Sequence, residues 1–179
     1  VILHTNGSRL LVPHSSSQNL LAVLAPLGLT GISLHRVAAK DAENFPTMNL
    51  TERYDINEMI ACAHSMGLKV QLSCVLLKTH VGAMLGVKYF LEWAANMCVD
   101  QVIFRELLDK LPDSAKSKHA VTTYCNLHRV SISLIETLAN QDSQMELIGE
   151  EPWGKYGLER SFCYTSSRGK TTNVRILHG

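Results

Sequence analysis

With 179 residues, 46% of them apolar and 18% charged, the chain has enough material for one domain with a sizeable core, and this composition argues against disorder. Its formal net charge of +1 removes the usual electrostatic ground for nucleic acid or an anionic membrane as the main partner. No apolar run approaches the roughly 20 residues that a bilayer crossing requires, so a cytoplasmic location is expected.

The first strand is predicted at residues 1–4, and Thr5-Asn6-Gly7 reads as the turn that ends it. A chain that opens directly in a strand-like run reads as a fragment of something longer. Residues 19–27 form a predicted short helix with Leu20, Leu21, Leu24 and Leu27 on one face. Ser17 or Asn19 is its cap, and Gly28 closes it. The second strand follows at 30–34, and residues 35–52 form a long polar loop suited to binding.

A helix over 55–66 places Ile56, Met59, Ile60 and Ala63 at helical spacing, with Gly67 in the favoured position after its end. The third strand is predicted at 68–74, a helix at 82–97 with Val87, Leu91 and Ala94 inward, and the fourth strand at 100–104. Strands separated by helices of this length pair in parallel through right-handed crossovers.

After that the alternation weakens. Residues 111–118 read as a polar linker with Pro112, and residues 119–140 as one long amphipathic helix. Residues 159–165 and 171–177 flank a Gly-containing turn as a hairpin. The expected fold class is therefore α/β, an incomplete (β/α) barrel of about four parallel strands plus a C-terminal helix and β-hairpin. Residues 1–110 form the partial barrel, and residues 111–179 pack on the same domain.

In such a barrel the active site lies where the strands finish. That rule gathers Asn6, Ser33, His35, Cys74, Arg105 and Glu106 around one pocket. Arg105 and Glu106 are adjacent, so they point to opposite faces, and Arg105 is the one assigned to the pocket. The five cysteines (Cys62, Cys74, Cys98, Cys125 and Cys163) are scattered with no CxxC or CxxxCxxC spacing, which reads as reduced thiols serving as small hydrophobes.

Three consecutive signatures carry a family resemblance. They are HTNG at 4–7, GISLHR at 31–36 with DAEN at 41–44, and KVQLSCVLL at 69–77 followed by VDQVIFREL at 99–107. In order and spacing they resemble the third to sixth strands of the radical S-adenosylmethionine enzymes, in the subgroup related to molybdenum cofactor biosynthesis protein A. EPWG at 151–154 and the terminal hairpin are compatible with the likeness.

The resemblance implies a 4Fe–4S cluster whose CxxxCxxC ligands lie upstream of this chain, so the chain alone is expected to be inactive and to hold no metal itself. It implies S-adenosyl-L-methionine as cofactor, reductively cleaved to a radical that abstracts hydrogen from a small-molecule or peptide substrate, with an electron donor as partner of the intact parent. Position by position, Asn6, Ser33 and Arg105 match cofactor-contacting residues, Arg105 facing the cofactor carboxylate. His35, Arg36, Asn44 and Glu106 are the expected substrate-side residues. The glycines that approach adenine in many members are missing from QLSCVLLKT at 71–79. Two other readings remain open. One is a cluster-free (β/α) barrel lyase or isomerase, for which Lys78 is the nearby Schiff-base candidate. The other is a non-catalytic binding barrel.

Overall fold

Four strands, β1 (Ile2–Thr5), β2 (Gly31–Arg36), β3 (Lys69–Leu76) and β4 (Gln101–Glu106), lie side by side in chain order, each parallel to the next. The computed structural model describes residues 1–13, 19–50, 53–107, 118–152 and 158–177. Residues 111–117 of the linker expected over 111–118, the Ser-rich stretch at 15–17 and Trp153-Gly154 of EPWG lie outside them.

Helix α1 (Leu20–Leu24) connects β1 to β2, with Asn19 as its cap through a 2.8 Å bond from the Ala22 N–H. Only Leu21 of its leucines is buried, and Leu27 is 75% exposed. The reason is local: Pro26 sits in a 3₁₀ turn (Ala25–Leu27) that changes the residue period before Gly28 ends it at φ 89°. Between β2 and β3 the expected loop contains a helix, α2 (Asp41–Thr47), ahead of α3 (Ile56–Ser65). Asp55 caps α3, and Ile56, Met59, Ile60 and Ala63 are its buried face. Helix α4 (Met84–Asn96) buries Val87, Phe90, Leu91, Ala94 and Ala95.

The long helix expected over 119–140 is two helices, α5 (Lys118–His128) and α6 (Ser133–Gln141). Neither Gly nor Pro breaks them. The His128 carbonyl instead accepts from the Lys78 N–H at 3.0 Å, and the Ile132 N–H donates to Glu106 at 2.6 Å. Tertiary partners have captured backbone groups that a continuous helix needs for itself.

Strand β5 (Met145–Pro152) was not expected, while β6 (Leu158–Thr165) and β7 (Thr171–Leu177) form the expected hairpin. The hairpin is no separate layer. β7 pairs in parallel with β4, giving a seven-stranded mixed sheet in the order β1-β2-β3-β4-β7-β6-β5. The count of about four strands is corrected accordingly.

One face of this sheet makes the core. Ile32, Leu34, Val70, Leu72, Leu76, Val102, Phe104, Val174 and Ile176 are fully buried and join the apolar faces of α3, α4 and α6 in one cluster. Burying each such side chain is worth about 1.5–3 kcal/mol. No described helix is long and apolar enough to cross a membrane.

Candidate functional site

Side chains alternate along a strand, so the residues between those core positions share the other face. That face is polar. Register aligns His4 with Ser33, Gln71, Gln101 and Asn173 in one row across β1, β2, β3, β4 and β7. Two residues further along, His35, Ser73, Ile103 and Arg175 form the next row.

Hydrogen bonds tie neighbouring strands together. The Gln71 carboxamide donates to Ser33 Oγ at 2.7 Å, and Arg105 Nε donates to Ser73 Oγ at 3.1 Å. The His4 and His35 rings lie 6.5 Å apart between centroids. Burial first, and then the Arg105 and His4 charges, lower the His35 pKa, so its ring is neutral at pH 7. Arg175, on the same face, is paired with the buried Glu159 carboxylate. Arg105 has no carboxylate partner among the described residues, and its guanidinium is only part-buried.

Asn6 follows the last residue of β1, and its Oδ1 accepts from the Ser8 N–H at 3.1 Å and the Ser8 hydroxyl at 3.0 Å. The Tyr54 hydroxyl donates to the Asn6 carbonyl at 2.6 Å. Gly7 has φ +86°, and a Cβ on it would lie 2.9 Å from the Tyr54 ring. The glycine of TNG is thus required twice, by backbone conformation and by the ring against it. Asn6, Ser33 and Arg105 stand on parallel strands or just beyond one, and Ser33 and Arg105 share the polar face. Ser33 is fully buried next to Gln71, whereas Arg105 is partly exposed.

Four expected site residues go elsewhere. Arg36 is completely buried on the helix side, where Nε donates to the Ala38 carbonyl and Nη2 to Ala39 and Asp41, with Trp93 5.3 Å from its guanidinium. It fastens the entry to α2 and stands on the side of the sheet away from the polar face. Asn44 is also fully buried, its Oδ1 accepting from the Val37 N–H at 2.8 Å. Glu106 faces the helices, holding Arg129 Nη2 and the Ile132 N–H at 2.6 Å each. Cys74 is buried among the core residues, and that burial pushes its thiol pKa up, which makes it inert. Of the expected substrate-side residues, His35 alone lies on the polar face.

His4, Gln71 and Ser73 were missed. The signal was present, because LKVQLSC at 68–74 alternates apolar and polar residues.

An open cavity of about 260 Å³ lies on the same sheet, lined in part by Gln71, Gln101, Asn173, Lys69 and Asp100. It sits at the strands' amino ends, opposite to the end where the barrel rule expects chemistry. Asp100 there ties Lys69 at 2.8 Å, His64 at 3.1 Å and the Val70 N–H at 2.8 Å, which clasps the amino ends of β3 and β4 together.

Among the described residues no group of three His, Cys, Asp or Glu side chains is arranged to hold a metal ion. Cys74 and Cys125 are buried, and the five cysteines are dispersed and form no disulfide. They do not fit an iron–sulfur cluster. What the fold and this face define is an α/β protein whose mixed sheet is apolar toward its helices and polar on the other side. No protein-family model, curated protein or solved structure matches the chain.

Proposed function

We propose that this chain is the ligand-holding part of a radical S-adenosylmethionine enzyme, with the polar sheet face forming one wall of the cofactor and substrate site. The observation that carries this reading is Arg105, a part-buried guanidinium without a carboxylate partner among the described residues. It is fixed by Ser73 at the carboxyl end of β4, among polar groups from three other parallel strands. Strands β1 to β4 run in chain order with no reversal. That is the order of an arc of a (β/α) barrel, whereas a doubly wound sheet reverses its order at a switch point.

The Nη end of Arg105 is suited to the cofactor carboxylate as a two-pronged donor. Ser33 has a hydroxyl proton to donate once Gln71, which now hydrogen-bonds its oxygen, gives way to the ligand. Asn6 has its carboxamide nitrogen to offer, its oxygen being used by Ser8. A cluster supplied from elsewhere in the parent would provide the electron for cofactor cleavage. The dispersed thiols of this chain support no step through one.

The test uses the parent gene and the purified parent protein. The reading expects CxxxCxxC encoded upstream of Val1. It also expects the anaerobically reconstituted, dithionite-reduced protein to convert S-adenosylmethionine to methionine and 5′-deoxyadenosine. Arg105→Met should raise the KM for S-adenosylmethionine by about tenfold, the scale of one lost charge-assisted bond. A parent without the cysteine triad, or one that leaves the cofactor intact, ends this reading in favour of a cluster-free or purely binding barrel.

A further inference from the structure

We infer that His4 and His35, with Arg105 beside them, form a subsite for an oxyanion, a phosphate or carboxylate group carried by the substrate. Calling the anion a substrate group rests on the proposed function. The binding of an oxyanion does not.

The other cations of the polar face are already paired. Lys69 at its amino end is tied to Asp100, and Arg175 toward β6 is tied to Glu159. Arg105 is left without a carboxylate partner among the described residues, and its Nε leans onto Ser73. Ser73 is the direct cross-strand neighbour of His35. The guanidinium therefore reaches toward β2, a strand spacing of about 4.8 Å from β3.

The groups facing His35 are His4 from β1, Gln71 and Ser73 from β3, and Arg105 from β4. None of these is an acid. Nor do β7 and β6 bring an unpaired one, since their contribution is the Arg175–Glu159 pair with Asn173, Ser161 and Cys163.

The spacing of the imidazoles is the second observation. With 6.5 Å between their centroids the rings are too far apart to hydrogen-bond each other. Each ring nitrogen sits about 1.1 Å from its centroid, so facing nitrogens would stand roughly 4–5 Å apart. One oxygen at about 2.8 Å from each bridges that gap. A single S-adenosylmethionine carboxylate accounts for Arg105 and leaves the two histidines unused.

Occupancy has a thermodynamic signature. Arg105 and His4 oppose protonation of His35 in the free protein. An oxyanion between the rings reverses that field, so binding takes up a proton and tightens as the pH falls through the histidine range.

The experiment titrates the full chain with inorganic phosphate and follows the His4 and His35 Cε1–H resonances by NMR at pH 6 and pH 8. A parallel titration with acetate separates phosphate from carboxylate preference. Both resonances should move on a common saturation curve, and the His35 midpoint should rise by about one pH unit in saturating phosphate, the size expected for one close opposite charge. Affinity should be higher at pH 6 than at pH 8, by less than the roughly tenfold ceiling that linkage sets for a one-unit shift.

His35→Gln, and independently His4→Gln, should each weaken phosphate binding about tenfold, the loss of one charge-assisted bond. Unchanged far-ultraviolet circular dichroism would show that each variant is folded. Resonances indifferent to tens of millimolar phosphate and acetate overturn the subsite, as does a folded H4Q/H35Q double variant that binds phosphate like the parent chain. If phosphate binds and the parent never cleaves S-adenosylmethionine, the enzyme reading falls and the oxyanion site stands. If cleavage occurs and the imidazoles ignore anions, the subsite alone falls.

Discussion

The two faces of the sheet are made from the same strands by alternate residues, and they have opposite chemistry. Leu72 and Ser73, or Arg105 and Glu106, are neighbours in sequence whose side chains never meet. On the helix face even charged groups are enlisted as structure: Arg36 ties down α2, and Glu106 the junction between α5 and α6. On the other face a cation and two imidazoles stand without a described acidic partner. The contrast teaches that residue type alone does not mark a functional group. The side of the sheet decides whether an arginine serves the fold or a ligand.

The largest effect that separates the faces should come from the core. Leu72→Ala should cost about 2–5 kcal/mol, the range for emptying a buried leucine site, whereas Gln71→Ala one position earlier should cost under about 1 kcal/mol. Urea unfolding of the two variants checks this, and equal losses would erase the distinction between faces.

A smaller contrast sits at the end of β4. Glu106→Ala leaves Arg129 and the Ile132 N–H without their carboxylate and should destabilise by about 1.5–3 kcal/mol. Arg105→Ala should stay within about 1 kcal/mol, since it removes one partly exposed bond to Ser73. Chemical denaturation decides the order, and a more costly Arg105 variant would make that residue structural.

The smallest effects are in the pH dependence. The Ser167 hydroxyl, aided by the Ser167 N–H, Tyr164 and Asn96, holds the Glu92 carboxyl down to about 2. Its folded pKa lies below its unfolded one, so its contribution is present above the ordinary glutamate range and is lost as pH falls toward 2. Glu92→Gln should flatten that acid limb and cost about 1 kcal/mol at neutral pH. His35 is also depressed, but as a base. The unfolded chain takes up its proton first, so stability falls as the pH drops below about 6.5. In His35→Gln that shallow step should disappear from unfolding midpoints measured between pH 8 and pH 5.

Much of the parallel half was legible because its strands bury one face under amphipathic helices. The inward residues of α3, the Asn19 cap and the closing Gly28 and Gly67 follow from local rules. What escaped depended on tertiary partners. The break between α5 and α6 carries no breaker residue and exists because β3's exit loop and Glu106 bind its backbone. Strand β5, with the sequence MELIGEEP, has a glycine, a proline and three glutamates, and it forms only by pairing along β6. Its charges suit a sheet edge, where they discourage pairing with another chain. Ser33, His35 and Arg105, expected from their place near strand ends, share the sheet face opposite the helices. Arg36 and Glu106 lie on the helix face by strand alternation, and Asn44 lies in α2, a helix that the sequence reads as loop.

The docking of β7 against β4 has a consequence for synthesis. A ribosome must translate residues 171–177 before β4 gains its second neighbour. Until then a nascent chain carries an open edge on an apolar strand that already includes Phe104. Such an edge invites pairing with other chains. Stop codons or proteolytic nicks ahead of β7 should therefore yield a product that seeks chaperones or self-associates instead of a shortened working domain.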